Sequence, residues 1–283
     1  MIDPPPFTRA RIAALCEGTL ARAGVLGVLP TPLEALHVAA GVRMRVALDD
    51  LPAPPPAARD RILGAAWLDE RALFVDERQS LPRRRFTEAH EVAHLLCPWH
   101  AAALRVDTAD ELFGRLARGL EAEANYGASQ LIFQAGTFAD HAAQHDRSLG
   151  TPFELASLFG ASRHAAAHHY VETHEGAVAL LVAGRWPAAG QLPVWRSVES
   201  PSFIRRFGRL PHQLPDTLLH AASGPLASAI DAARRSSEPI AADLNLIDRG
   251  GRARPCSIEV FNNRHCHLVF AAERVAPTRV RAA

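Results

Sequence analysis

Only four cysteines occur in 283 residues (Cys16, Cys97, Cys256 and Cys266), and no two are spaced CxxC. A disulfide scaffold is not expected, and such thiols fit a reducing compartment. No uninterrupted apolar stretch approaches the roughly 18 residues that a membrane helix needs. The opening "MIDPPPFTRARIAAL" places an acid and prolines where a secretory leader carries bases and then an apolar run. Charge of one sign is also missing. The formal net charge is +1, with arginines spread along the chain, so no general field favours nucleic acid. These absences predict a cytoplasmic protein with no membrane segment. What is present is a globular composition with 48% apolar residues, enough for a real core, in a length that suits one large domain or two smaller ones.

Residues 8–24 carry Ile12, Leu15 and Leu20 near helical spacing. Thr31-Pro32 predicts a second helix, capped by Thr31 and ending at Gly41. "VRMRVAL" (42–48) alternates like a strand, and "LPAPPPAA" (51–58) is a proline-rich loop. "RILGAAWLD" (61–69) and "RALFVD" (71–76) read as two strands joined by a tight turn. Ser80-Leu81-Pro82 opens a helix, and another covers about 108–135. "TPFELASLFGASRHAAAHHYVETH" (151–174) reads as two helices around Gly160-Ala161-Ser162, a helix-turn-helix pattern. Beyond 177, strand-like runs alternate with loops rich in Pro, Gly and Ser. Three segments are therefore expected: 1–145, 146–176 and 177–283.

Within "FTEAHEVAHLLCPWH" (86–100), His90 and His94 are four apart. On a helix they stack on one face, where two imidazoles can bind one Zn²⁺ at about 2.0–2.1 Å. Glu91 stands beside them, placed to take a proton from an activated water and return it to a leaving amine. HExxH is a motif with that mechanism attached. A third ligand is required. The helix "ELFGRLARGLEAEANYGASQLIF" offers Glu121 and Glu123. Phe113, Ala117, Leu120, Ala124, Ala128, Leu131 and Ile132 form its apolar face; Glu121 falls in that arc and Glu123 nearly opposite. Glu121 is thus expected to be the buried ligand, because an apolar stripe tolerates a carboxylate only when it is paired. Glu123 is expected to be solvated. Asn125, one turn after Glu121, can hydrogen-bond a ligating imidazole from behind.

"RRRFTEAHEVAHLL" followed by "EAEANYGASQLI" resembles the ImmA/IrrE metallopeptidases, which share RFT-x-AHE-x-x-H and then E-x-x-x-N/D-x-x-A-x-x-L-[LI]. The resemblance implies a zincin-like fold, His90, His94 and Glu121 as zinc ligands, Glu91 as the catalytic glutamate and Asn125 behind a ligand. It also implies a protein substrate of the helix-turn-helix repressor class, cut to switch on a stress or mobile-element response. The likeness is strong over about 60–135 and weak after about 180. One departure is that Ile132-Phe133-Gln134 stands where the family usually has Leu-Met-Pro. "RALFVD" is expected to be the sheet edge that receives an extended substrate.

Other residues carry weaker signals. Cys97 is read as a small buried residue before Pro98, with an inhibitory thiolate as the alternative. Tyr170 and His168, among the histidines of 164–174, are candidates to stabilise an oxyanion. Arg163 is the only arginine of that second helix, so direct DNA binding is not expected. "SIEVFNNRHCHLVF" reads as a hairpin turning at Asn262-Asn263, with His265 and His267 on one strand face. The expected fold is α+β: a zincin-like metallopeptidase domain, a helix-turn-helix-like extension and a smaller C-terminal α/β module, possibly sensory. The expected cofactor is Zn²⁺, with Mn²⁺ as the alternative metal. The expected function is zinc-dependent endopeptidase action on a repressor; the alternative is a regulatory scaffold or toxin–antitoxin partner that binds without cutting.

Overall fold

The computed structural model describes residues 4–46, 62–104, 110–134, 136–184, 193–214 and 224–274. The proline-rich loop at 51–58 and the end of the 42–48 run lie outside them, as does the side chain of Phe113. The chain forms two compact units, one of 1–138 with 156–162, the other of 139–155 with 163–283. The mixed α+β class expected from the sequence is what the structure has.

The first unit begins with α1 (Pro6–Arg22) and α2 (Leu33–Ala40). Gly41 ends α2 in the left-handed conformation that glycine reaches without strain (φ 71°). Thr31 does not cap α2; its hydroxyl donates to the carbonyl of Leu131 at 3.0 Å. Three short strands follow: β1 (Met44–Arg45), β2 (Gly64–Trp67) and β3 (Ala72–Val75). Their order is β1-β3-β2, with β1 parallel and β2 antiparallel to β3. "RALFVD" is therefore the buried middle strand and not the edge, because its apolar residues face core on both sides. The open edge belongs to β2, which pairs only with β3 among the described residues.

The helices α3 (Leu81–Leu96), α4 (Pro98–Leu104), α5 (Asp110–Phe133) and α6 (Gly136–Ala142) follow. Pro82 in the first turn starts α3 where its missing N–H costs nothing. α3 and α5 meet through small side chains. Ala89, Ala93, Ala124 and Ala128 are fully buried, and a Cβ on Gly127 would stand 2.7 Å from Cβ of Ala93. That lack of bulk lets the two helices approach closely. Gln134 ends α5 at φ 45° and is buried. Its amide nitrogen donates to the carbonyls of Val25 and Val28 and to the Thr31 hydroxyl, and its carbonyl accepts from Gly27 N at 2.7 Å. The departure from the family pattern is thus a clamp on the loop between α1 and α2.

The helix pair read at 151–174 is α7 (Gly150–Leu158) and α8 (Arg163–Thr173). In the second unit α8 packs on a five-stranded antiparallel sheet of β4 (Val178–Ala183), β5 (Val194–Glu199), β6 (Ile240–Ile247), β7 (Ala253–Asn262) and β8 (His267–Glu273). Strand order is β5-β4-β8-β7-β6. On the sheet's other face, α9 (Pro201–Phe207) and α10 (Pro225–Ala233) bury Phe203, Phe207, Leu226 and Ile230 against Leu181, Ile258 and Val260. The hairpin at 257–270 forms, but its turn spans 263–266. His265 is therefore exposed in the turn and does not share a strand face with buried His267. All four cysteines are free and buried.

Candidate metal centre

The spacing of His90 and His94 on α3 puts both imidazoles over one face, with their Nε2 atoms 3.2 Å apart. The close α3–α5 crossing brings Glu121 onto them. Its two oxygens lie 3.2 Å from His90 Nε2 and 3.5 Å from His94 Nε2. The three side chains each offer one donor atom, all within 4.8 Å of one another. Two imidazole nitrogens and a carboxylate directed at a common point are the donor set of a catalytic zinc site, so the residues present fit a divalent ion. The hydrogen bonds from both histidines hold the Glu121 carboxyl far below the usual carboxylate range.

The outer nitrogens are fixed as well. His90 Nδ1 lies 3.2 Å from Asn125 Oδ1, so Asn125 stands where the sequence put it. His94 Nδ1 lies 2.8 Å from His100 Nδ1, and His100 Nε2 lies 3.1 Å from Glu123 Oε2. Trp99 Nε1 donates to the same Glu123 oxygen at 2.6 Å. Burial holds the His100 pKa below the ordinary histidine value, which keeps the ring neutral. A single set of protons satisfies this chain: His94 Nδ1–H donates to His100 Nδ1, and His100 Nε2–H donates to Glu123. The inner Nε2 atoms face Glu121, and each would present a lone pair to a metal only once its proton to that carboxylate has left.

The environments of the two glutamates are the reverse of the sequence expectation. The Glu121 side chain is 59% exposed and that of Glu123 15%. Apolar periodicity located the face of α5 that packs on α3. It could not show that α4, starting at Pro98, folds Trp99 and His100 over Glu123. His100 and Glu123 are the functional residues missed. The signal was "CPWH", in which the proline that stops α3 also starts the next turn.

Glu91 is buried, and burial, opposed by His90 and reinforced by Glu121, raises its pKa to about 7. Above it lies Gly64 on the open strand β2. A Cβ there would stand 2.5 Å from Glu91 Oε1 and 2.5 Å from Thr87 Cγ2. Only a glycine lets the strand run this close to the carboxylate. Cys97 is buried at the end of α3, and burial pushes its thiol up to about 12, which leaves the small-residue reading and removes the thiolate.

Tyr170 and His168 belong to the second unit. Tyr170 is buried between His174 and Phe270, at ring separations of 4.9 Å and 6.1 Å, and His168 Nδ1 lies 3.7 Å from Glu172. Neither is part of the cluster formed in the first unit. Arg163 lies over the rings of Phe153 and Phe261, at 5.0 Å and 5.4 Å, so the fixed cation of α8 is already engaged. No described helix is long and apolar enough to cross a membrane.

Three comparisons bear on this geometry. Residues 55–170 match the family model Peptidase_M78, the IrrE N-terminal-like domain. That span contains the histidines, both glutamates, Asn125 and β2. A solved structure of a Mycobacterium tuberculosis transcriptional regulator is similar, with TM-score 0.56 over 93% of this chain and 88% of that chain. Its sequence identity is 15%, so the likeness carries the fold alone. No curated protein matches the chain.

Proposed function

We propose, from the match of residues 55–170 to the IrrE N-terminal-like domain model of Peptidase_M78, that the protein is a zinc-dependent endopeptidase that cleaves a helix-turn-helix transcriptional repressor. The observation that carries the reading is the convergence of His90 Nε2, His94 Nε2 and Glu121 beside the buried Glu91.

His90, His94 and Glu121 would hold the ion, with Asn125 and the His100–Glu123 pair fixing the imidazoles. Bound there, Zn²⁺ supplies Lewis-acid polarisation and the acidification of a water. Glu91 accepts the proton of the attacking water on its carboxylate. It then delivers that proton to the amide nitrogen as the C–N bond breaks, so the leaving amine departs neutral. A pKa near 7 suits both halves of that cycle. β2, whose outer edge is unpaired among the described residues, would receive an extended substrate segment, and Gly64 brings that strand within contact of Glu91. The repressor as substrate is supported by the family resemblance of the "RRRFTEAHEVAHLL" and "EAEANYGASQLI" blocks.

The test is to mix the zinc-loaded protein with candidate helix-turn-helix repressors, any encoded in its genomic neighbourhood first, and follow the products by mass spectrometry. Cleavage that stops on zinc removal, and in Glu91→Gln at unchanged zinc content, supports the reading. If Glu91→Gln has full biological activity, the domain acts by binding a partner without cutting it and the peptidase proposal fails.

A further inference from the structure

The second unit carries a feature that peptide hydrolysis does not use. A shallow, open depression on the surface is lined by Arg147, Arg205, Arg206, Arg249, Arg252 and Arg254. Only Asp248 and Glu273 oppose them among the lining residues, so six guanidiniums face two carboxylates, a local excess of four positive charges. The whole chain has a net charge of only +1, so this concentration is not a reflection of composition.

The two acids are already committed. Asp248 is buried in the turn between β6 and β7. Its Oδ1 accepts from Gly250 N and Arg252 N, and its Oδ2 lies 2.9 Å from Arg254 Nε and 3.5 Å from Arg252 Nε. It holds the arginine-bearing turn in shape. Glu273, on β8, takes Arg206 at 2.7 Å. The backbone N–H of Arg249 donates to the carbonyl of Arg206, tying that turn to α9 at 2.8 Å. Three guanidiniums remain. Among the described residues no carboxylate pairs with Arg147, Arg205 or Arg249. Arg205 meets only the Ser202 hydroxyl, at 2.9 Å. The Arg147 guanidinium lies over Gly176, where a Cβ would stand 3.0 Å from it. Unpaired cations held side by side repel one another, and an anion placed among them removes that cost.

We propose that this cradle binds a small phosphate-bearing metabolite carrying at least two phosphate groups. A guanidinium fork matches phosphate oxygens in pairs, and an excess of four charges suits a diphosphate or triphosphate better than a single anion. The acids set among the arginines break the cationic surface, which suits a compact anion and not the continuous track that a nucleic-acid strand needs. The assignment is independent of the peptidase reading and gives the second unit a ligand class to sense.

Calorimetry on the full chain at fixed ionic strength tests it, with inorganic pyrophosphate, ATP, inorganic phosphate and sulfate as probes. Pyrophosphate and ATP should bind at least tenfold more tightly than phosphate or sulfate. The double variant Arg205→Gln/Arg249→Gln should lose at least tenfold in affinity. Both side chains are exposed, so its unliganded melting temperature should equal that of wild type, whereas Arg235→Gln, outside the depression, should leave binding unchanged. Glu91→Gln should bind pyrophosphate as wild type does. Equal affinity in wild type and double variant overturns the proposal. So does pyrophosphate binding no tighter than sulfate, or a 20-nucleotide single strand binding more tightly than ATP, which would reassign the surface to nucleic acid.

Discussion

On the peptidase reading, placing a methyl group on Gly64 should disable Glu91 without touching His90, His94 or Glu121. The added Cβ of Gly64→Ala would meet Glu91 Oε1 and Thr87 Cγ2 at 2.5 Å, against 3.4 Å for the shortest ordinary contact, a shortfall of about 0.9 Å at each. The strand can move out or the carboxylate can move aside. Because Glu91 is buried on α3, whose neighbouring Ala89, Val92 and Ala93 are fully enclosed, the helix cannot retreat. The displacement therefore falls on the carboxylate or on β2. A misplacement of about 1 Å at a reacting group costs on the order of 10²-fold in rate, and overpacking costs about 1–3 kcal/mol of stability. The assay pairs cleavage rate with zinc content and a urea melt of the metal-free protein. The expected result is a rate lowered about 100-fold, zinc content unchanged and a melt shifted by about 1–3 kcal/mol. A rate within twofold of wild type together with an unchanged melt would refute the idea that Gly64 sets the position of Glu91.

Glu123→Gln should weaken zinc binding about 10- to 100-fold, because it loosens the His100 bond that orients His94; competition against a chelator measures this, and affinity equal to wild type would leave the His100–Glu123 pair without a role. Gln134→Ala removes four hydrogen bonds at a buried site and should cost about 2–4 kcal/mol in chemical denaturation, at about 1 kcal/mol for each bond; a cost below about 0.5 kcal/mol would mean that the loop between α1 and α2 is held by something else. In the metal-free protein Glu91 keeps its proton to about pH 7, against 4.5 for an ordinary glutamate. The folded state then binds more protons than the unfolded state between these values, so this group's contribution falls as pH rises through that window. Relative to Glu91→Gln, wild type should lose on the order of 3 kcal/mol between pH 4.5 and 8; parallel stability profiles for the two proteins would contradict a raised Glu91 pKa.

What the sequence made legible was the geometry internal to single elements. Two histidines four apart share a helix face wherever that helix goes, so His90 and His94 could be paired in advance. Proline at a first turn and glycine at a last one marked the start of α3 and the end of α2 for backbone reasons that tertiary packing does not change. The role of Asn125 followed from its place one turn after Glu121. Burial was a different matter, because it depends on what covers a face. Glu121 lies next to an apolar stripe yet opens to solvent, and Glu123 is covered by Trp99 and His100 from a seven-residue helix too short to show periodicity. Strand order failed for a related reason. β1 pairs over only two residues, so nothing in "VRMRVAL" announced that it would flank β3 and turn "RALFVD" into a middle strand. β6 went unrecognised because "IAADLNLI" is half exposed along its length, and a lone edge strand carries little apolar signal.

Among the described residues, the little sheet beside Glu91 lacks a strand on its β2 side, where the proposed chemistry would occur. A helical guest has already spent its backbone groups on itself and has nothing to offer such a margin; only a stretch of chain already straightened, or one that straightens at small cost, can complete it. On the peptidase reading, choice of target would then fall to the local firmness of the victim more than to its side-chain spelling. A loosened linker would be cut while a well-packed recognition helix in the same repressor survived. Hydrogen exchange along the target, set against the positions of its cuts, would reveal whether the soft places and the broken bonds coincide; cuts in the most protected segments would tell against it.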